Sequence, residues 1–217
     1  MKIAVIDYGM GNLFSVEQAL KRLDCEVAVT ADKATILAAD AVVLPGVGAF
    51  PDAMKRLEET ELLAVLQELK STQKPLLGIC LGMQLLFEES EEVTPTKGLG
   101  FFKGRIARFS GVTVDGVSYR VPHMGWNELE LKIIPQWLNE VTLPVERHVY
   151  FVHSFYATEM DPAELVASAD YHGIEVPGIV QVGSITGMQF HPEKSGKFGF
   201  FLLEQWLKGV KESTVVC

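Results

Sequence analysis

Through its first 90 residues the chain alternates short, almost unbroken apolar runs with stretches of helical spacing, and this alternation limits the possible folds more than anything else in the sequence. Residues 3–7 read as a buried strand running into Tyr8-Gly9-Met10-Gly11-Asn12. Residues 13–23 follow, with Leu13, Val16, Leu20 and Leu23 on one helical face. Strands are predicted over 26–30 and 41–44, the latter ending in Pro45-Gly46-Val47-Gly48. A helix, or two short ones, is predicted over 54–69, then a strand over 76–80 and a helix over 81–88. Strands that are apolar on both faces need cover on both faces. The repeated unit therefore predicts an α/β fold: an open, mainly parallel central sheet with helices on both sides.

From about residue 98 the pattern becomes strand-rich and antiparallel in texture. Strands are predicted over 101–109, 112–120, 149–157, 165–169, 179–182 and 185–190, and a closing helix over 199–208. Asp115-Gly116 between two β-branched runs is a two-residue hairpin signal. No repeat, low-complexity tract or linker interrupts the chain, and 217 residues fit one domain spanning 1–217. A net charge of −9 argues against nucleic acid and against an anionic membrane surface as partners. No apolar run approaches the 18 or so residues that a membrane span needs. The apolar stretch before Asp7 is too short for a signal peptide and reads as the first strand. Three widely spaced cysteines, Cys25, Cys80 and Cys217, suggest a reducing compartment, hence the cytoplasm.

Two segments carry chemistry. Gly78-Ile79-Cys80-Leu81-Gly82-Met83-Gln84 follows Pro75-Leu76-Leu77, so a buried strand runs into a tight Gly-x-Cys-x-Gly turn and then a helix. This is the cysteine form of a nucleophile elbow: flanking glycines relieve crowding where the nucleophile sits at positive φ. A helix beginning at Leu81 would bring N–H groups and a positive dipole end to the sulfur, favouring thiolate. An isolated motif of this length also fits a buried core cysteine. The second segment is Gln189-Phe190-His191-Pro192-Glu193-Lys194-Ser195. Two residues apart in an extended stretch point the same way, which would aim Glu193 at His191. The alternative is a surface loop ahead of the last helix. Cys25, read with the second strand and lacking flanking glycines, and Cys217, the last residue, read as chemically inert. Pro45-Gly46-Val47-Gly48 could turn a backbone N–H toward a ligand. Gly9-Met10-Gly11-Asn12 fails the dinucleotide fingerprint because Phe14 replaces its third glycine. No histidine and cysteine are spaced like metal ligands. The reading thus calls for no cofactor and no metal.

In combination, GICLGMQ at 78–84 and QFHPEKS at 189–195 resemble the class I (triad) glutamine amidotransferases, whose sheet is flavodoxin-like. PGVG at 45–48, HMGWN at 123–127 and YFVHS at 150–154 resemble, within them, the glutaminase subunits of imidazole glycerol phosphate synthase in histidine biosynthesis. The resemblance runs from the first strand to the last helix. It implies Cys80 as nucleophile, His191 as base and acid, and Glu193 as its orienter. It implies an oxyanion hole from Leu81 with Val47 or Gly48, and glutamine contacts from Gly46, Gln84 and the Ser154–Phe155 backbone, with Glu92 a further candidate for the α-amino group. It implies a heterodimer with a separate (β/α)₈ synthase (cyclase) subunit that receives the ammonia and makes imidazole glycerol phosphate and an aminoimidazole carboxamide ribonucleotide. Asn12, His123, Met124 and Trp126 are the candidate partner contacts. Val182, by contrast, stands where such subunits often carry a lysine that reaches the partner. An amidotransferase for another acceptor, a stand-alone cysteine hydrolase and a binding module with a structural cysteine are the alternatives.

Overall fold

The computed structural model describes residues 1–215. Its first part is the expected alternation: β1 (Lys2–Ile6), α1 (Leu13–Arg22), β2 (Glu26–Thr30), α2 (Lys33–Ala38), β3 (Ala41–Gly46), α3 (Phe50–Glu59), α4 (Leu62–Ser71), β4 (Leu76–Cys80) and α5 (Leu81–Gln84). The short strands β5 (Glu89–Ser90) and β6 (Thr96–Lys97) follow, then β7 (Arg105–Arg108), β8 (His123–Glu128) and β9 (Glu130–Leu131). The chain ends with β10 (His148–His153), β11 (Phe155–Thr158), β12 (Leu165–Tyr171), β13 (Ile174–Val182), β14 (Ile185–Met188) and α6 (Gly196–Val215).

The main sheet has the order β2-β1-β3-β4-β14-β13-β12-β9. Its first five strands are mutually parallel, and β13, β12 and β9 add on in antiparallel fashion. An order that runs second, first, third, fourth and then a fifth parallel strand is the flavodoxin-like arrangement, which builds its sites outside the carboxyl ends of the strands. The two-sided burial read from the sequence is present residue by residue. On β1, Ile3 and Val5 enter one core with Val16 and Leu20 of α1 and Leu202, Trp206 and Leu207 of α6. Ala4 and Ile6 enter the other, with Ile36 of α2, Leu57 of α3 and Leu66 of α4. Two smaller sheets stand beside the main one, β10-β8 and β11-β7-β5-β6.

Several boundaries differ from the sequence expectations for local physical reasons. The helix predicted over 81–88 ends at Gln84. The strand predicted over 101–109 shrinks to β7, because Gly104 sits at φ +98 with its backbone pressed against Thr158 and Glu159. Between 112 and 120 only one bridge forms, Val112 to Ser118, around a turn closed by Gly116 N–H donating to Thr113 O (3.0 Å). The run 149–157 splits at Ser154 into two strands that belong to different sheets. HMGWN forms strand β8 together with Glu128, paired antiparallel with β10. Cys25 lies in the turn before β2 and not within a strand, and Cys217 lies outside the described residues. No helix among the described residues is long and apolar enough to cross a membrane.

Candidate active site

Strand β4 is buried along its whole length and ends on Cys80, whose backbone stands at φ +54, ψ −113 as α5 begins. A non-glycine residue at such a φ is strained by about 1–3 kcal/mol and persists only where its surroundings enforce it. Here they do. An added Cβ at Gly82 would lie 1.8 Å from Leu44 O, and one at Gly78 2.8 Å from Gly82 O, so the elbow rests directly on β3 and on itself. Cys80 pairs in register with Gly46, the last residue of β3. Helix α5 is a single turn, so the dipole contribution expected from a longer helix is small. Its first N–H, on Leu81, is nevertheless without a protein acceptor among the described residues, as are those of Val47 and Gly48.

His191 and Glu193 follow β14, the strand beside β4. They are not paired by an extended segment, as the sequence suggests. His191 precedes a 3₁₀ turn over Pro192–Lys194, and this turn folds Glu193 back so that its Oε1 lies 2.9 Å from His191 Nδ1. Ser195 clamps the turn: its Oγ donates to His191 O (2.7 Å) and accepts from Tyr150 N (2.9 Å). Both paired side chains are almost fully buried, and Glu193 Oε2 has no hydrogen-bond partner among the described residues. Burial pulls the His191 imidazole down, but hydrogen bonding to Cys80 and Glu193 and their charge outweigh it and raise it to about 9. A histidine raised above its unfolded value of about 6.5 contributes stability that is complete below pH 6.5 and is lost as pH rises through 9. We expect urea stability to fall by roughly 1.4 kcal/mol per pH unit from this group across that window. Glu193→Gln should flatten the slope. Equal slopes in the two proteins would disprove the coupling.

Cys80, His191, Val47, Gly48, Leu81, Gln84, Glu92, Ser154 and Phe155 all line one cavity of about 430 Å³ at the carboxyl ends of the parallel strands, with Pro122, Val152, His153 and Lys194. Gly46 does not reach the wall. It is buried beneath it, with room for no side chain between Tyr8, Leu81 and Gly82. One oxygen of Glu92 is already used, accepting from Phe50 N (2.8 Å) at the start of α3, and burial raises its carboxyl above the usual range. His153 brings a second imidazole to the wall. Its Nδ1 donates to Phe155 O (2.8 Å), its Nε2 faces His123 Nδ1 (3.0 Å), and burial pushes it down to about 3. With both nitrogens occupied and the ring neutral at pH 7, it is no rival to His191.

Among the expected partner contacts, Met124 and Trp126 are about half exposed on β8, and Asn12 caps α1, its side chain accepting from Ser15 N. His123 is different: it is 0% exposed, stacked on Phe151 and Tyr171, and bonded to His153 and Asn127. It cannot touch a partner, because inward and outward positions alternate along β8. Val182 pairs with Ile185, which pairs with Leu76 at the start of β4, so Val182 lies at the end of the sheet away from Cys80. Gln189 and Ser195 lie inside the QFHPEKS motif but have no role assigned from sequence, and Tyr8, whose hydroxyl donates to Pro45 O (2.9 Å), is positioned at the site with no signal in the sequence beyond its nearness to the loop that follows β1.

The family model of the class-I glutamine amidotransferases matches residues 4–207. The chain is 50% identical over 205 residues to the imidazole glycerol phosphate synthase subunit HisH of Geobacillus kaustophilus, covering 94% of this chain and 95% of that one. It is 51% identical over 212 residues to the HisH subunit of Bacillus cereus (strain ATCC 14579), covering 97% and 96%. The chain belongs to the HisH family of class I glutamine amidotransferases. Solved structures at lower identity share the fold of this amidotransferase. A glutamine amidotransferase crystal structure superposes with a TM-score of 0.71 at 19% identity over 95% of this chain and 98% of that one. PurLQS from Thermotoga maritima gives 0.72 at 18% over 96% and 98%.

Proposed function

We propose that this HisH-family chain hydrolyses glutamine at Cys80 and hands the ammonia to a separate (β/α)₈ cyclase subunit of imidazole glycerol phosphate synthase, acting as one domain over 1–217 in the cytoplasm. One observation carries the reading. A cysteine held at positive φ faces the same cavity as an imidazole that is paired to a buried carboxylate and raised to about 9. At neutral pH that imidazole is protonated and supports a thiolate beside it. The thiolate attacks the carboxamide carbon of glutamine, and the carbonyl oxygen takes the charge. The N–H groups of Leu81 and of Val47 or Gly48, without acceptors among the described residues, stabilise that oxygen. The imidazolium gives its proton to the nitrogen as the C–N bond breaks, and ammonia leaves. Water, deprotonated by the neutral imidazole, then cleaves the γ-glutamyl thioester to glutamate and regenerates Cys80. Glu193 holds the ring and stabilises its charged form throughout. No cofactor enters these steps.

The cyclase subunit is expected on the face of β8 where Met124 and Trp126 leave 54% and 53% of their surface exposed, since β8 begins at His123, bonded to His153 of the cavity wall. Trp126 also leans toward Gly196, just after the His191 turn. Gly48, at φ +109, gives the segment 47–48 the freedom to turn an N–H toward or away from the cavity. Glutamate production should therefore be weak in the free chain and rise strongly with the cyclase subunit and its ribonucleotide. Trp126→Ala should lower that activation about tenfold or more while leaving the melting temperature nearly unchanged. The test compares glutamate release by the free chain, by the complex and by the complex with the nucleotide. Equal rates in all three would remove the gating, and no release in any of them would remove the function.

A further inference from the structure

Gln189 is the first residue after β14, and its side chain is completely buried. A buried carboxamide is costly unless its donors and acceptor are matched. Here the matching has a fixed polarity. Phe155 O can only accept, and it lies 2.9 Å from Gln84 Nε2, which sets which way the Gln84 amide faces. The second hydrogen on Gln84 Nε2 goes to Gln189 Oε1 at 3.0 Å. This in turn sets the Gln189 amide, because the flipped arrangement would oppose two donors. The Gln189 Nε2 that results lies 3.9 Å from Cys80 Sγ. Gln84 Oε1 is left without a donor among the described residues, on a side chain that lines the cavity.

Resting on the proposed glutaminase reading, we infer that Gln189 is a positioning residue that sets the polarity of the site. Through this relay the sulfur always meets an N–H donor, and the cavity always meets a carbonyl acceptor on Gln84. A donor stabilises a thiolate more than a thiol, so Gln189 adds to His191 in holding Cys80 reactive. The acceptor on Gln84 suits an N–H or ammonium group, which glutamine carries at both ends. No proton moves through the relay. It holds orientation only.

Two substitutions separate these effects in the complete complex. Gln189→Met fills the same volume and removes both contacts. The glutamine KM should rise about tenfold, and the rate of Cys80 alkylation by iodoacetamide at pH 7 should fall by a similar factor, each corresponding to one lost hydrogen bond. Gln189→Glu keeps the acceptor for Gln84 but sets a carboxyl against the sulfur. Its KM should stay within about twofold of wild type, while kcat and alkylation at pH 7 fall about tenfold, because a carboxylate beside the sulfur offers it no N–H and opposes the thiolate. Ammonia-dependent cyclase activity and the melting temperature report folding in each variant. A Gln189→Met protein, or a Gln189→Glu protein if the first fails to fold, with wild-type KM, kcat and alkylation overturns the relay. Glutaminase activity that survives Cys80→Ala would overturn the underlying reading instead, so the two failures are distinguishable.

Discussion

Cys80→Ala abolishes glutamine hydrolysis: glutamate production by the complex is expected to drop by about 10⁴-fold or more, as for other lost nucleophiles in covalent acyl transfer. The same complex supplied with ammonia should still make cyclase product, because the partner needs only the nitrogen. Cys25→Ala should match wild type in both assays. Cys25 lies in the turn between α1 and β2, its sulfur near Leu23 O at 3.7 Å, and it is not among the residues that line the cavity. Removing Cys80 leaves the oxyanion donors and the cavity intact, so the loss reports chemistry and not assembly. Glutamate release from Cys80→Ala above a few per cent of wild type would mean that another group attacks the substrate.

Gly82→Ala has the largest expected effect on folding. Its Cβ would stand 1.8 Å from Leu44 O, well inside contact distance, with Pro45 C at 3.3 Å behind it. The atom in the way is the backbone of β3, buried in the middle of the sheet, so it cannot turn aside as a flexible side chain would. Relief requires the start of α5 to lift off β3. That breaks the packing that holds Cys80 at positive φ and separates Cys80 from Gly46. We expect a loss of more than about 4 kcal/mol, the range of overpacking combined with strain, or failure to fold. Gly48→Ala is the comparison. Its Cβ would meet only the end of the flexible Met10 side chain, at 2.7 Å, although φ +109 is itself unfavourable to alanine. It should therefore fold while losing glutaminase activity. A Gly82→Ala protein with wild-type melting and full activity would show that the elbow does not depend on this contact.

Much of this arrangement is legible from sequence because it is encoded over short distances. Apolar runs such as Ala41–Gly46 state that a strand is covered on both faces, and the helical spacing of Val16 and Leu20 states which side covers it. Gly78 and Gly82 mark the elbow by their spacing around Cys80, although only Gly78 clears near neighbours, Gly82 and Met83, while Gly82 clears Leu44 of β3. Spacing likewise marks His191 and Glu193, although the turn that pairs them is 3₁₀ and not extended. The chain by itself thus determines the parallel α/β sheet, the elbow and the paired imidazole and carboxylate.

Only the tertiary structure decides what meets across the sheet. Gln84 touches Gln189 and Phe155 at separations of 105 and 71 residues, contacts that depend on the register of β4 against β14 and on the break at Ser154. His123 is buried and Trp126 exposed although both belong to one motif. Strand β8 turns alternate residues to opposite faces, and the rings of Phe151 and Tyr171 stack on His123 on the inner one. Val182 stands away from Cys80 because β13 runs antiparallel to β14, which carries its end to the start of β4. Periodicity and motif spacing relate near neighbours and so appear in the sequence. Polar pairing between distant residues depends on how the strands align, and that is fixed only when the whole sheet closes.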